Sequence, residues 1–242
     1  MKVVERWHSE RVGQDLNVVR WGAVGVPVLI FPTAGGDCEE IERFHLISAL
    51  EGLLSSGRIK VYSVDSVNGR AFLTSSDHRH IAWMMTAFDA AIRHEVVPAI
   101  RADCRSPDIE IITAGASIGA FNAIEVLCRH PDVFTAALGI SGTYNLTKWL
   151  KGPMTSDFFF SSPLHYLPTL EDGPVLDRLR SRFVLLAHGL GAAEEPAESW
   201  RMAEVLGSRG VPNRVEEWGP EWPHDWVTWR EMFPRFLDEL TS

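Results

Sequence analysis

Short apolar runs that alternate with amphipathic stretches constrain the fold of this chain more than any other feature. Val26-Pro27-Val28-Leu29-Ile30-Phe31 is continuously apolar and is followed at once by Pro32-Thr33-Ala34-Gly35-Gly36. That is the pattern of a strand buried on both faces and ending in a loop. Asp37-Cys38-Glu39-Glu40 then reads as a capped helix start, with Phe44, Ile47, Leu50 and Leu54 as its core-facing stripe. The alternation continues with a strand over Ile59 to Val67, a long helix over Arg79 to Cys104, a strand over Ile109 to Ala114 and a helix over Ile118 to Cys128. Strands follow over Thr135 to Ser141 and Arg182 to Ala187, then a helix over Ala197 to Arg209, a strand over Arg214 to Trp218 and a closing helix over Trp226 to Leu240. Such alternation needs crossover connections, hence an α/β fold with a mostly parallel central sheet and helices on both faces. Ahead of it, Val3 to Arg11 and Leu16 to Trp21 flank Gly13-Gln14-Asp15 and read as an antiparallel N-terminal hairpin.

At 242 residues, with neither an internal repeat nor a low-complexity linker, residues 1–242 read as a single domain. One stretch breaks the rhythm: residues 144–180 hold several prolines together with Trp149, Phe158, Phe159, Phe160 and Tyr166. Its length and aromatic content predict a lid or insertion within that domain. The formal charge of −9 disfavours nucleic acid as a partner, because phosphate backbones are bound by basic surfaces. Cys38, Cys104 and Cys128 are odd in number and far apart, which argues against a disulfide framework and for a reducing, cytoplasmic setting. No apolar run is long enough to span a bilayer, so no membrane association is expected. Nine tryptophans leave room for an apolar interface, and so for a homo-oligomer.

Chemistry is concentrated in Gly115-Ala116-Ser117-Ile118-Gly119, placed between a predicted strand and a predicted helix. G-x-S-x-G in that context is a nucleophile elbow, a strained turn that presents the serine at the end of a sheet. A serine hydroxyl needs a general base, and the base needs an orienting acid. Of the histidines after Ser117, His224 stands in a loop between the last strand and the last helix, where such a fold carries its base, whereas His130 and His165 read as surface or packing residues. The loop after the strand Arg182 to Ala187 offers no aspartate; Glu194 and Glu195 are the candidates for the acid, with Glu198 already inside the next helix. An oxyanion hole would combine the Ile118 amide with one from the loop after Phe31, Ala34 first and Gly35 second. His188, at a strand's C-terminal end, and Trp149, Phe159 and Tyr166 of the irregular segment are candidates to line a substrate. Asp77-His78-Arg79-His80 groups three potential ligands, but neighbouring helix positions diverge and no second cluster accompanies them, so no metal and no cofactor is expected. Cys38 reads as a small buried apolar residue.

These pieces resemble the putative esterase family of α/β-hydrolases along nearly the whole chain. Phe31-Pro32-Thr33-Ala34-Gly35-Gly36 falls where that family has its oxyanion loop, Gly115 to Ala120 at its elbow and Pro223-His224-Asp225-Trp226 at its histidine loop. The resemblance implies an α/β-hydrolase fold, Ser117 as nucleophile, His224 as base and an acid about 30 residues earlier, a spacing that selects Glu194 over Glu195. It also implies a serine carboxyl-ester hydrolase acting on a small-molecule ester through an acyl-enzyme. Two other functions fit the same residues: an acyltransferase, in which an alcohol or amine replaces water, and a non-catalytic binding or scaffold protein on a hydrolase fold.

Overall fold

The computed structural model describes residues 2–242. Its strands are β1 (Lys2–Ser9), β2 (Gln14–Trp21), β3 (Val26–Phe31), β4 (Ile59–Val64), β5 (Ile111–Ala116), β6 (Phe134–Ile140), β7 (Phe183–His188) and β8 (Asn213–Glu217). Among the described residues they form one sheet in the order β1-β2-β4-β3-β5-β6-β7-β8. β1 and β2 are the expected antiparallel hairpin, turning at Gly13 with φ 66°, and β2 also runs antiparallel to β4. Every other pairing is parallel.

Helices cover both faces because the buried strands are apolar on both. Along β3, Leu29 and Phe31 point into one cluster and Val28 and Ile30 into the other. On the Val28 side lie α1 (Glu40–Arg43), α2 (Leu46–Ala49) and α3 (Glu51–Ser55). The Leu29 side carries α4 (Val67–Thr74), α5 (His78–Ala91), α6 (Val97–Asp103), α7 (Ile118–Arg129), α8 (Ser156–Ser161), α9 (Pro163–Tyr166), α10 (Pro174–Leu179) and α11 (Pro196–Ser208). The closing helix α12 (Trp226–Leu240) returns to the Val28 side through Trp229, Met232, Phe233 and Phe236. Asp225 caps it by accepting the Val227 N–H at 3.1 Å.

Three stretches differ from the sequence expectation. The helix after Asp37 breaks into α1, α2 and α3: His45 separates the first two with a left-handed conformation at φ 63° that no helix can propagate, and Leu50, at φ −87° and ψ 2°, separates the last two. Ile47 and Leu50 are buried as expected, but Phe44 stays 44% exposed and stacks on Trp226. The long helix over Arg79 to Cys104 is continuous but opens into a π turn at Ile92–Val96. Pro98 supplies the reason: it has no N–H to donate, and its ring would collide with the His94 carbonyl one α-turn back. The strand over Ile59 to Val67 stops at Val64, and its last residue, Val67, begins α4, a helix that hydrophobic periodicity did not suggest.

The irregular segment is ordered into α8, α9, α10 and two 3-10 turns. Most of its large residues serve the core: Tyr144, Phe158, Tyr166, Leu167, Leu176 and Leu179 are buried. Among the described residues, no helix is long and apolar enough to cross a membrane. Because β3 to β8 are all parallel, their C-terminal ends share one edge of the sheet, and the loops leaving β3, β5, β6, β7 and β8 converge there.

Candidate active site

Ser117 occupies the junction of β5 and α7 with φ 58° and ψ −123°, a conformation L-residues avoid and keep only where the surroundings enforce it. Two glycines make it affordable. A Cβ on Gly115 would strike the Gly119 carbonyl, and one on Gly119 would strike the Phe31 carbonyl at the end of β3. The turn is pinned by the Ser117 N–H donating to the Ile140 carbonyl at 3.0 Å and by the Ser117 carbonyl accepting from Thr143 N–H at 3.2 Å. The positive end of α7 therefore faces the space above Ser117, with the Ile118 N–H as its first helical amide.

The loops after β7 and β8 are stitched to each other through backbone. Leu190 N–H donates to the Gly219 carbonyl at 3.2 Å, Gly191 N–H to the Trp222 carbonyl at 3.0 Å, and His224 N–H to the Ala192 carbonyl at 2.9 Å. Gly189 and Gly191 permit this contact, since a Cβ on either would meet Trp222. The result sets Glu194 Oε2 at 3.8 Å from His224 Nδ1, with the Glu194 side chain only 2% exposed and His224 23% exposed. Glu194 Oε1 accepts the Ser141 hydroxyl at 2.6 Å, and Ser141 Oγ in turn accepts the Trp229 indole N–H at 3.0 Å. The Trp229 ring also meets the His224 ring edge to face at 5.2 Å.

The neighbouring glutamates do something else. Glu195 is 59% exposed on its side chain and pairs with Lys148 at 3.0 Å. Glu198 accepts the Tyr144 and Asn145 amides at 2.8 and 2.6 Å, which ties the irregular segment to α11. Of the three carboxylates weighed from sequence, Glu194 is the one beside the histidine.

Ser117 and His224 line the same cavity of about 190 Å³, together with Ser141, Gly142, Thr143, Lys148, Trp149, Ala193 and Glu195. Of the four residues expected to line a substrate, Trp149 is in this lining, with the Lys148 ammonium 5.1 Å from its ring centroid. The other three candidates lie outside that lining. His188 is 1% exposed and turned along the sheet to Glu217 at 3.1 Å, Tyr166 is buried in the core, and Phe159 packs on Phe160 and His165. Each is drawn away by packing that its sequence neighbourhood did not advertise.

On the other side of Ser117, the loop after β3 is held by a residue that sequence reasoning assigned to a helix cap. Glu40 is buried, and its carboxylate accepts the Thr33 N–H and the Thr33 hydroxyl, both at 2.7 Å. Burial raises the Glu40 carboxyl above the ordinary glutamate range, against the opposing effect of the Thr33 bonds. The Gly36 N–H is used by the Thr33 carbonyl at 3.0 Å. Thr33 and Gly36 are therefore committed, whereas the Ala34 and Gly35 amides have no acceptor among the described residues. Those are the two amides expected to complete an oxyanion hole.

The remaining residues weighed from sequence have structural explanations. Asp77 caps α5 by accepting the Arg79 N–H at 2.9 Å, and the His80 ring lies against Trp83. Among the described residues, no group of three or more His, Cys, Asp or Glu side chains is arranged to hold a metal ion. Cys38 is 5% exposed, and burial together with the Asp65 carboxylate pushes its thiol up to about 12, so it is no thiolate nucleophile. Sequence reasoning missed Ser141 and Glu40. Ser141-Gly142 follows directly on β6 at the sheet edge where sites collect, which is a usable signal.

Comparison with known proteins gives a family and a fold. Residues 74–240 match the family described as Putative esterase. No curated protein matches the chain. Among solved structures, a ferulic acid esterase superposes with a TM-score of 0.76 at 16% identity, covering 100% of this chain and 98% of that one. An S-formylglutathione hydrolase from Agrobacterium tumefaciens gives 0.72 at 12% identity, with 100% and 94% covered. The fluorophosphonate-binding serine hydrolase F of Staphylococcus aureus gives 0.62 at 14% identity, with 100% and 98% covered. At such identities the likeness is one of fold, that of the α/β-hydrolases.

Proposed function

The chain belongs to the Putative esterase family; from that premise we propose that it is a serine hydrolase that cleaves carboxylic esters through Ser117, His224 and Glu194 by way of an acyl-enzyme. The single observation that carries the reading is the buried Glu194 carboxylate facing His224 Nδ1 in the wall of a cavity that Ser117 also lines. A carboxylate there fixes the imidazole tautomer, with Nδ1 protonated and Nε2 free to accept, and stabilises the imidazolium once it forms. The 3.8 Å separation is a resting distance, and catalytic hydrogen bonds of free enzymes commonly tighten only with substrate bound.

In the first half-reaction the Ser117 hydroxyl oxygen attacks the ester carbonyl carbon while its proton passes to His224. The Ile118 amide, with that of Ala34 or Gly35, receives the oxyanion. The carbon–oxygen bond to the leaving alcohol then breaks, His224 returns the proton to that alcohol, and the acyl group stays on Ser117. Water, deprotonated by His224, attacks the acyl-enzyme; the acid departs and the proton goes back to Ser117.

The cavity of about 190 Å³ is small beside the ~300–1,000 Å³ of sites for drug-sized ligands, which supports a short acyl group. Thr143, Ala193 and Trp149 give it a neutral wall, and the Lys148–Glu195 pair carries no net charge. A fluorophosphonate probe is expected to label the protein and to fail on Ser117→Ala, and p-nitrophenyl acetate is expected to turn over faster than longer or aromatic acyl esters. Full ester turnover by Ser117→Ala would end the reading; a preference for aromatic acyl groups would end the short-acyl assignment alone.

A further inference from the structure

The cations of this acidic chain are not spread evenly. Two adjoining cavities of about 630 and 680 Å³ share Ala102 and Arg105. Their combined lining contains Arg20, Lys60, Arg93, Arg101 and Arg105 against a single acidic side chain, Asp103. The whole chain holds 32 Asp and Glu to 23 Lys and Arg, so an average patch should favour acid over base.

Local pairing does not neutralise the groove. Lys60, with 4% of its side chain exposed, and Arg20 both draw on the one Asp103 carboxylate, which also accepts the Tyr62 hydroxyl at 2.5 Å. Two cations on one anion leave a positive charge at the floor, and a buried charge without a full counter-ion is costly. Arg93 has Asp132 at 2.6 Å, and Arg101 donates to the Ile109 carbonyl at 3.3 Å. Arg105, exposed and held at φ 53°, has no carboxylate within ion-pair distance among the described residues. The nearby acids face elsewhere: Glu95 accepts from Trp7 and Ser9 of the hairpin, Glu110 pairs with Arg182 at 2.6 Å, and Asp108 projects from an exposed turn outside the lining.

We propose that this groove is a binding site for a compact oligophosphate or a small molecule carrying two or more phosphate groups. Guanidinium forks match phosphate oxygens two at a time, and a pair of connected cavities suits an elongated anion better than a single ion. No Phe, Tyr or Trp lines either cavity, and the His94 imidazole is the one ring among the lining residues. The groove lies beyond the N-terminal ends of β3, β4 and β5, where Gly25, Lys60 and Ile109 enter the sheet, and Ser117 lies at the opposite end. Occupancy therefore does not depend on the serine-hydrolase chemistry, and the two readings fail separately.

Calorimetric titration with inorganic tripolyphosphate at two salt concentrations tests the site, using Arg105→Glu, Arg101→Glu and, as a charge-matched control away from the groove, Arg79→Glu. Expected is one saturable site, weakened by higher salt and weakened at least about tenfold by Arg105→Glu, the scale of one charge-assisted hydrogen bond. Arg101→Glu should do the same; if losing the Ile109 contact unfolds it, the exposed Arg105→Glu decides alone. Far-UV circular dichroism and the urea unfolding midpoint serve as the folding check and should be unchanged in Arg105→Glu. Absence of saturable binding would overturn the proposal, as would an equal loss in Arg79→Glu, which would mean attraction by net charge only. Binding to anionic vesicles or RNA without binding to tripolyphosphate would overturn it too.

Discussion

Two loops converge on Ser117, and each is governed by one buried glutamate, yet the two carboxylates work against different partners. Glu194 faces a histidine and takes one hydroxyl, from Ser141. Glu40 faces no cation at hydrogen-bond distance and takes two neutral donors from a single residue, Thr33. The first arrangement can respond to charge that appears on the imidazole during a reaction. The second can only hold backbone in place, leaving the Ala34 and Gly35 amides free. On the proposed mechanism one half of the site is electrostatic machinery and the other half is scaffold, and the two should break in different ways.

Removing Glu194 should have the largest effect. Glu194→Ala deprives the imidazole of its orienting and stabilising partner, and kcat is expected to fall on the order of 10³–10⁴-fold with KM little changed. Glu195→Gln should leave kcat within a factor of two, because that carboxylate is exposed and paired with Lys148. Steady-state kinetics on a short-chain ester separates the two, and a larger loss in Glu195→Gln would reverse the assignment of the acid.

Glu40→Ala should come second. Thr33 N–H would lose its acceptor in a half-buried loop, at about 1–3 kcal/mol of stability at most, and the amides proposed for the oxyanion hole would lose their fixed position. Loss of one well-placed oxyanion donor costs about 10²–10³ in kcat, so a loosened loop should cost on the order of 10–10². Urea unfolding and kcat measured together distinguish this from Glu194→Ala, which should weaken catalysis far more than folding.

Ser141→Ala should be milder, at about tenfold in kcat, since it removes one hydrogen bond from Glu194 while keeping the carboxylate buried beside His224. It also frees the Trp229 indole N–H, so a change in tryptophan fluorescence should accompany the kinetic loss. An unchanged kcat would show that burial alone orients Glu194.

The same contrast explains what could be read from the residues. Ser117 and His224 carry motif signals, because a strained turn needs flanking glycines and the base follows the last strand. The sheet was legible for a similar reason: buried parallel strands are uniformly apolar, and β3, β5, β6 and β7 keep that pattern. The loop's position in the chain order left Glu194 and Glu195 level, and the spacing implied by the family resemblance favoured Glu194. Glu40 was hidden because Asp37-x-x-Glu40 fits a capping box, and only the fold reveals that its carboxylate turns back seven residues to Thr33. The break at His45 was equally invisible, since left-handed conformation at a non-glycine residue is imposed by packing and not by composition. Local signals thus located the proposed reacting groups, whereas tertiary contacts chose what holds them.

The finest test separates the two glutamates by pH. Burial raises the Glu40 carboxyl above its unfolded value, so between those two values the folded protein binds more protons than the unfolded chain. Its contribution to stability is present in full below the ordinary glutamate range and is lost as pH rises through the raised value. Glu40→Gln cannot titrate, and the difference in stability between wild type and variant should therefore shrink or invert as pH rises through that window. The substituted amide keeps one acceptor for Thr33, and the lost second bond adds a pH-independent offset of about 1 kcal/mol. Urea midpoints at constant ionic strength give the difference curve, in which every other titrating group cancels. A flat difference would mean that Glu40 titrates alike in both states, and its role would then reduce to the two Thr33 hydrogen bonds.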